Sequence, residues 1–184
     1  SDHLSLTEIP LELRSRQYDL RLLNGGANQK QPYSPAAHVA SERWKNGQAV
    51  LGRIVARDMA SRFAISEAAL RSFGGGGPIE EDRHIQSEAI LHIAACASKG
   101  CDVRVAPFSA DTRGATGELV IMHSDLKGSM VGTWGLTEAV LTAHPDIVQN
   151  TVDNFNTVWQ GSLTEGDSIE FMHTLASELV NANL

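Results

Sequence analysis

The spacing of apolar residues changes part-way along the chain, from helical to alternating. From Pro35 to about residue 60, Val39, Val50, Leu51, Ile54, Val55 and Met59 fall largely at helical intervals, which predicts one long amphipathic helix with Asn46-Gly47 as its weak point. Ser34-Pro35 offers a capping hydroxyl followed by proline at the first helical position. Phe63-Ala64-Ile65-Ser66 is a short apolar run suited to a buried strand, and Glu67 to Phe73 reads as a brief helical turn. Pro78 with Glu80, Glu81 and Asp82 opens another helix, because acids complement the positive end of the helix dipole. That helix runs to about Ser98 with Ile85, Ala89, Leu91, His92 and Cys96 turned inward, and Gly100 stops it.

Beyond Gly100 the period shortens to two. Val103, Val105 and Pro107 alternate with Arg104 and Ala106, and Leu119, Ile121 and His123 alternate with Val120 and Met122. Met130 to Trp134 and Ala139 to Ala143 are two further extended runs. Asp125-Leu126-Lys127-Gly128 is a turn that predicts an antiparallel hairpin, and Gly135-Leu136-Thr137 a second tight connection. Helical spacing then returns. Pro145 starts a helix carrying Val148, Val152, Phe155 and Trp159, and Gly161 ends it. Asp167 and Glu170 read as a capping box for a last helix buried through Ile169, Met172, Ala176 and Leu179.

The N-terminal segment, residues 1–33, is less regular. Ile9-Pro10 marks a break, Leu11 to Leu23 suits a strand or a short helix, and Asn24-Gly25-Gly26-Ala27-Asn28 is a loop. With residues 34–184 the whole gives a single α+β domain. The expected architecture is a mixed, largely antiparallel sheet of four to five strands packed against several α-helices.

Composition narrows the function classes. A chain of 184 residues suits one domain that folds without a disulfide or metal. Aromatics make up only 5%, so the core is expected to be aliphatic. A formal charge of −7 argues against nucleic acid or an anionic membrane surface as a direct partner. Cys96 and Cys101 form neither a redox pair motif nor a zinc half-site, which suits reduced thiols in a cytoplasmic protein. No run is long and apolar enough to span a bilayer.

Few residues carry recognisable chemistry. Gly74 to Gly77 lack the Lys and Ser/Thr of a phosphate loop and run into Pro78-Ile79-Glu80-Glu81, so a hinge or lid is expected. His84, Glu88 and His92 share a helix face without the metalloprotease pattern, and neither a metal nor a cofactor is expected. His123 is the titratable group on an apolar strand face and a candidate acid–base residue. Trp134 suits a pocket wall. Arg104 points away from Val103 and Val105, and would need Glu67 or Glu138 as partner if that face is covered.

Phe63-Ala64-Ile65-Ser66-Glu67-Ala68-Ala69-Leu70-Arg71 before the glycines, Val103 to Phe108, Gly117 to Ile121, and His144 to Val148 with the Phe155 helix occur in a distinctive order. Over about Arg62 to Leu179 the chain resembles the C-terminal effector domain of actinobacterial Xre-type helix-turn-helix regulators, those called Scr1-antitoxin-like, without the helix-turn-helix. The resemblance implies an α+β domain that senses a small-molecule ligand or binds a partner. Trp134, His123, Arg104 and Glu67 are the expected ligand-binding residues. The alternative is a freestanding, cofactor-independent enzyme of cyclase or isomerase type acting on a specialised metabolite, with His123 or Glu67 as its acid–base group. No membrane partner is expected, and homodimerisation is left open.

Overall fold

Alternation does produce strands, and a sixth joins the five that the pattern suggests. In a computed structural model, residues 1–6, 9–23, 35–56, 60–72, 80–112, 118–123, 128–134 and 139–181 are described. The strands are β1 (Asp2–Ser5), β2 (Arg62–Ser66), β3 (Asp102–Ala106), β4 (Glu118–Met122), β5 (Met130–Trp134) and β6 (Ala139–Thr142). They form one sheet in the order β3-β2-β1-β4-β5-β6. β1, β2 and β3 run parallel, whereas β4, β5 and β6 form an antiparallel meander joined to β1. The fold class is therefore α+β with a mixed sheet, one strand larger than expected.

The additional strand is β1, and it lies inside the sheet. Its sequence, Asp2-His3-Leu4-Ser5, has one apolar residue, yet all four positions are buried. Buried parallel strands usually read as apolar runs, as Phe63-Ala64-Ile65 does, which is why β1 is invisible to pattern reading. Of the two forms open to Leu11 to Leu23, strand or short helix, the helical one is found. It comprises a short 3-10 helix (Leu11–Leu13) and helix α1 (Arg16–Leu23). These, with α2 (Pro35–Val55), form the crossover from β1 to β2, and α3 (Glu67–Arg71) with α4 (Glu80–Ala97) form that from β2 to β3.

Gly47 does not break α2. It is buried, and a Cβ there would sit 3.1 Å from the Leu11 carbonyl oxygen. The glycine therefore lets the helix lie close on the 3-10 turn. Trp44 strengthens this contact by donating its indole N–H to the Arg14 carbonyl at 3.3 Å.

Two cores flank the sheet. On one face Phe63, Ile65, Val103 and Val105 pack with Tyr18, Ile90, Ile93, Met172 and Leu175. On the other face Leu4, Ala64, Ile121 and Val131 pack beneath Phe155, Val158 and Trp159 of α5 (Pro145–Gly161). The chain then passes round the β3 edge into α6 (Glu165–Asn181). Leu163 donates its N–H to the Val105 carbonyl at 2.9 Å, and Val105 donates to Ser168 Oγ at 2.9 Å, so the edge is closed. At the opposite edge Val140 and Leu141 are exposed.

Other expectations shift in detail. The cap of α6 is Thr164, whose Oγ1 accepts from the Asp167 N–H at 3.2 Å, so Asp167 stands one turn inside the helix. Leu91 faces outward on α4, while Gln86, Ile90 and Ile93 point inward. Gly100, with φ of 100°, ends that helix as expected. No helix among the described residues is long and apolar enough to cross a membrane. The loops at Asn24–Asn28 and Gly74–Gly77, the Ser34 cap, Pro78, Glu138, Asp125 to Lys127 and the connection at Gly135-Leu136-Thr137 lie outside the described residues.

Candidate functional site

Parallel register builds a charged row on the α5 face. Asp2 stands beside Arg62, and Arg62 beside Asp102, across β1, β2 and β3. One pleat further along β3, Arg104 points to the same face. Arg62 donates Nε to Asp2 Oδ1 at 2.7 Å and Nη2 to Oδ2 at 2.8 Å, a two-pronged ion pair. Burial works to raise the Asp2 carboxyl, but the hydrogen bonds from Arg62 and His123 outweigh it and hold the group below the usual aspartate range.

Aromatic rings of α5 cover part of this row. Phe155 and Trp159, one helical turn apart, stack with centroids 5.7 Å apart. The Arg62 guanidinium lies 4.8 Å from the Phe155 centroid, and that of Arg104 lies 4.3 Å from Trp159. Arg104 Nε is buried and has no hydrogen-bond partner among the described residues. Asp102 Oδ1 lies 4.0 Å from it. Burial raises the Asp102 carboxyl, so this neighbour is a reluctant anion. The rest of the Arg104 side chain is about one-third exposed, at 32%.

A second arrangement branches from the same aspartate. His123 follows β4, and its Nε2 lies 2.9 Å from Asp2 Oδ2. Its Nδ1 lies 2.9 Å from Ser129 Oγ. The β4–β5 register explains the encounter. Met122 pairs with Met130, and the next position outward sets His123 opposite Ser129. Pattern reading singled out His123 but missed Ser129, although counting outward through the hairpin finds it.

The four residues expected to bind ligand do not share one place. Arg104 and His123 lie on the same face but three strands apart, roughly 14 Å at ordinary strand spacing. Glu67 opens α3 at the far end of β2. It accepts from Arg71 Nε at 2.7 Å and from the Phe108 N–H at 3.2 Å, and does not serve as the partner of Arg104. Trp134 ends β5, opposite Ala139. Because β5 runs antiparallel to β4, Trp134 falls at the end of the hairpin away from His123, and its side chain is outside what is described. His84 and Glu88 are exposed on α4, and no three metal-ligating side chains converge among the described residues.

The opposite face holds a polar group that pattern reading did not single out. His3 is buried and stacked on Phe63 with centroids 4.4 Å apart. Its Nδ1 lies 3.9 Å from Glu12 Oε2. Burial lowers the His3 pKa to about 4, so the imidazole is neutral at physiological pH.

A family model described as a domain of unknown function (DUF5753) matches residues 2–174. The chain belongs to this family. The match begins at β1 and ends at residue 174, so the N-terminal segment ahead of Arg62 is part of the family domain. No curated protein and no solved structure matches the chain.

Proposed function

We propose that this DUF5753 domain is a small-molecule sensor that takes an organic acid at Arg104. Its resemblance to the effector domains of Xre-type regulators supports a sensing role. The observation that carries the choice of ligand is the Arg104 guanidinium, held 4.3 Å over Trp159 with a buried Nε that has no acceptor among the described residues. An unpaired buried donor costs roughly 1–3 kcal/mol, and a ligand carboxylate supplies the missing acceptor with a charge-assisted bond. Contact with the Trp159 ring restrains the guanidinium before the ligand arrives, so less ordering is lost on binding.

Calorimetric titration with a set of small mono- and dicarboxylic acids tests this reading. Binding is expected for at least one acid, with loss of about tenfold or more in Arg104→Lys, which keeps the charge but not the planar fork. Asp102→Asn removes the competing carboxylate and is expected to tighten binding. Equal affinity in the wild type and Arg104→Lys would overturn the proposal.

The enzyme alternative has one observation in its favour, the hydrogen bonds of His123 with Asp2 and Ser129. Glu67 is committed elsewhere, so an acid–base role there would rest on His123 alone.

A further inference from the structure

We propose that Ser129, His123 and Asp2 form a nucleophilic serine site for carboxylic esters. This goes beyond ligand sensing and uses a place about three strands from Arg104.

The geometry selects one tautomer of the neutral His123 ring. Asp2 is a buried carboxylate anchored on both oxygens by Arg62. As an acceptor it requires the proton of His123 to sit on Nε2, which donates across 2.9 Å. Nδ1 then carries the lone pair, and it faces Ser129 Oγ at 2.9 Å. Ser129 donates to that lone pair, which is the relation a general base needs with its nucleophile. The two ring nitrogens exchange the roles they hold in the familiar serine hydrolases, but the logic of an oriented base is unchanged. Arg62 is a positioning residue, because it keeps Asp2 charged and in place.

The site is also reachable. His123 is 46% exposed, and Ser129 is half-buried. Gly128, with φ of 74°, turns the chain immediately before Ser129, and a Cβ built on it would meet nothing within 4 Å. Among the described residues, that side of Ser129 lies open to a substrate carbonyl. Solvent near the site weakens electrostatic help to a developing oxyanion, so esters suit it better than amides, whose leaving group is harder to expel.

The chemistry balances without a further reagent. Ser129 Oγ bonds to the ester carbonyl carbon as its proton passes to His123 Nδ1. The carbon–alkoxy bond breaks, and the departing alkoxide takes the proton from Nδ1 to leave as an alcohol. Water then adds to the acyl-serine and gives a proton to Nδ1. Collapse releases the carboxylic acid, and Ser129 recovers its proton. The net reaction is ester plus water to acid plus alcohol.

The test uses a fluorophosphonate probe and p-nitrophenyl acetate on the full chain. The probe carries no carboxylate, so its outcome is independent of binding at Arg104. The expected result is one adduct, mapped to Ser129, that is absent in Ser129→Ala. Ester turnover is expected to fall at least a hundredfold in both Ser129→Ala and His123→Gln. Glutamine retains an amide hydrogen bond toward Asp2 but is no base, and circular dichroism of both variants checks the fold. An unlabelled Ser129 in the folded wild type overturns the proposal, as does equal labelling of folded His123→Gln. Turnover that survives in Ser129→Ala also overturns it.

Discussion

Asp2 and Arg62 stand in register on neighbouring parallel strands and join in a two-pronged ion pair of 2.7 and 2.8 Å. Asp2 is almost completely buried, and its second oxygen also meets His123 at 2.9 Å. One carboxylate therefore ties β2, β1 and the end of β4 together on the α5 face.

The pH dependence of this tie has a definite sign. The folded-state pKa of Asp2 is lowered from the ordinary 3.8, so the unfolded chain binds the proton more readily. The stabilisation is complete above about pH 4 and is lost as pH falls through the folded value. Asp2→Asn is expected to lower stability at pH 7 and to flatten the acid limb below pH 4, measured by urea unfolding across pH.

His3 acts in a different window. Its pKa falls from 6.5 unfolded to about 4 folded, again a depressed value, but here for a cation disfavoured by burial. Stability is complete above about pH 6.5, declines as pH falls toward 4, and levels off below, for a total on the order of 3 kcal/mol. His3→Gln is expected to remove the slope between pH 6.5 and 4 and leave the Asp2 limb in place. An unchanged slope in a folded variant would count against burial of a neutral His3.

Two glycines of α2 predict opposite results. Gly52 is exposed, and a Cβ there meets nothing within 4 Å, so Gly52→Ala is expected to stabilise by up to about 1 kcal/mol through helix propensity. Gly47 faces the Leu11 carbonyl at 3.1 Å from an added Cβ, so Gly47→Ala is expected to destabilise by about 1 kcal/mol despite the same propensity gain. Urea midpoints with unchanged slopes provide the comparison.

Ser168 closes the β3 edge. Ser168→Ala leaves the buried Val105 N–H without its acceptor and is expected to cost about 1–3 kcal/mol. Hydrogen exchange at the Val105 amide should accelerate even where the global melt changes little.

Local pattern revealed much of the fold and less of the site. Alternation located β3 and β4, short apolar or extended runs located β2, β5 and β6, and helical spacing located α2, α4, α5 and α6. It failed at Asp2-His3-Leu4-Ser5, where Asp2 is satisfied by Arg62 and His123 and His3 is packed on Phe63. Those contacts come from residues about 60 and 120 positions away, beyond any local window. The site shows the same division. Arg104 was legible as a charge turned away from two valines, but its cover by Trp159 was not. His123 and Trp134 are close in sequence, yet the antiparallel hairpin sends them to opposite ends.

A ligand carboxylate accepting a hydrogen bond from Arg104 Nε is the contact on which the sensor reading rests. Arginine Nε–H resonances, recorded in nitrogen–proton correlation spectra during titration with the acid selected by calorimetry, report on that donor directly. The Arg104 signal, assigned by its loss in Arg104→Lys, should move downfield and exchange more slowly with solvent at saturation. A saturated complex in which the Arg104 Nε–H stays unshifted would contradict the account.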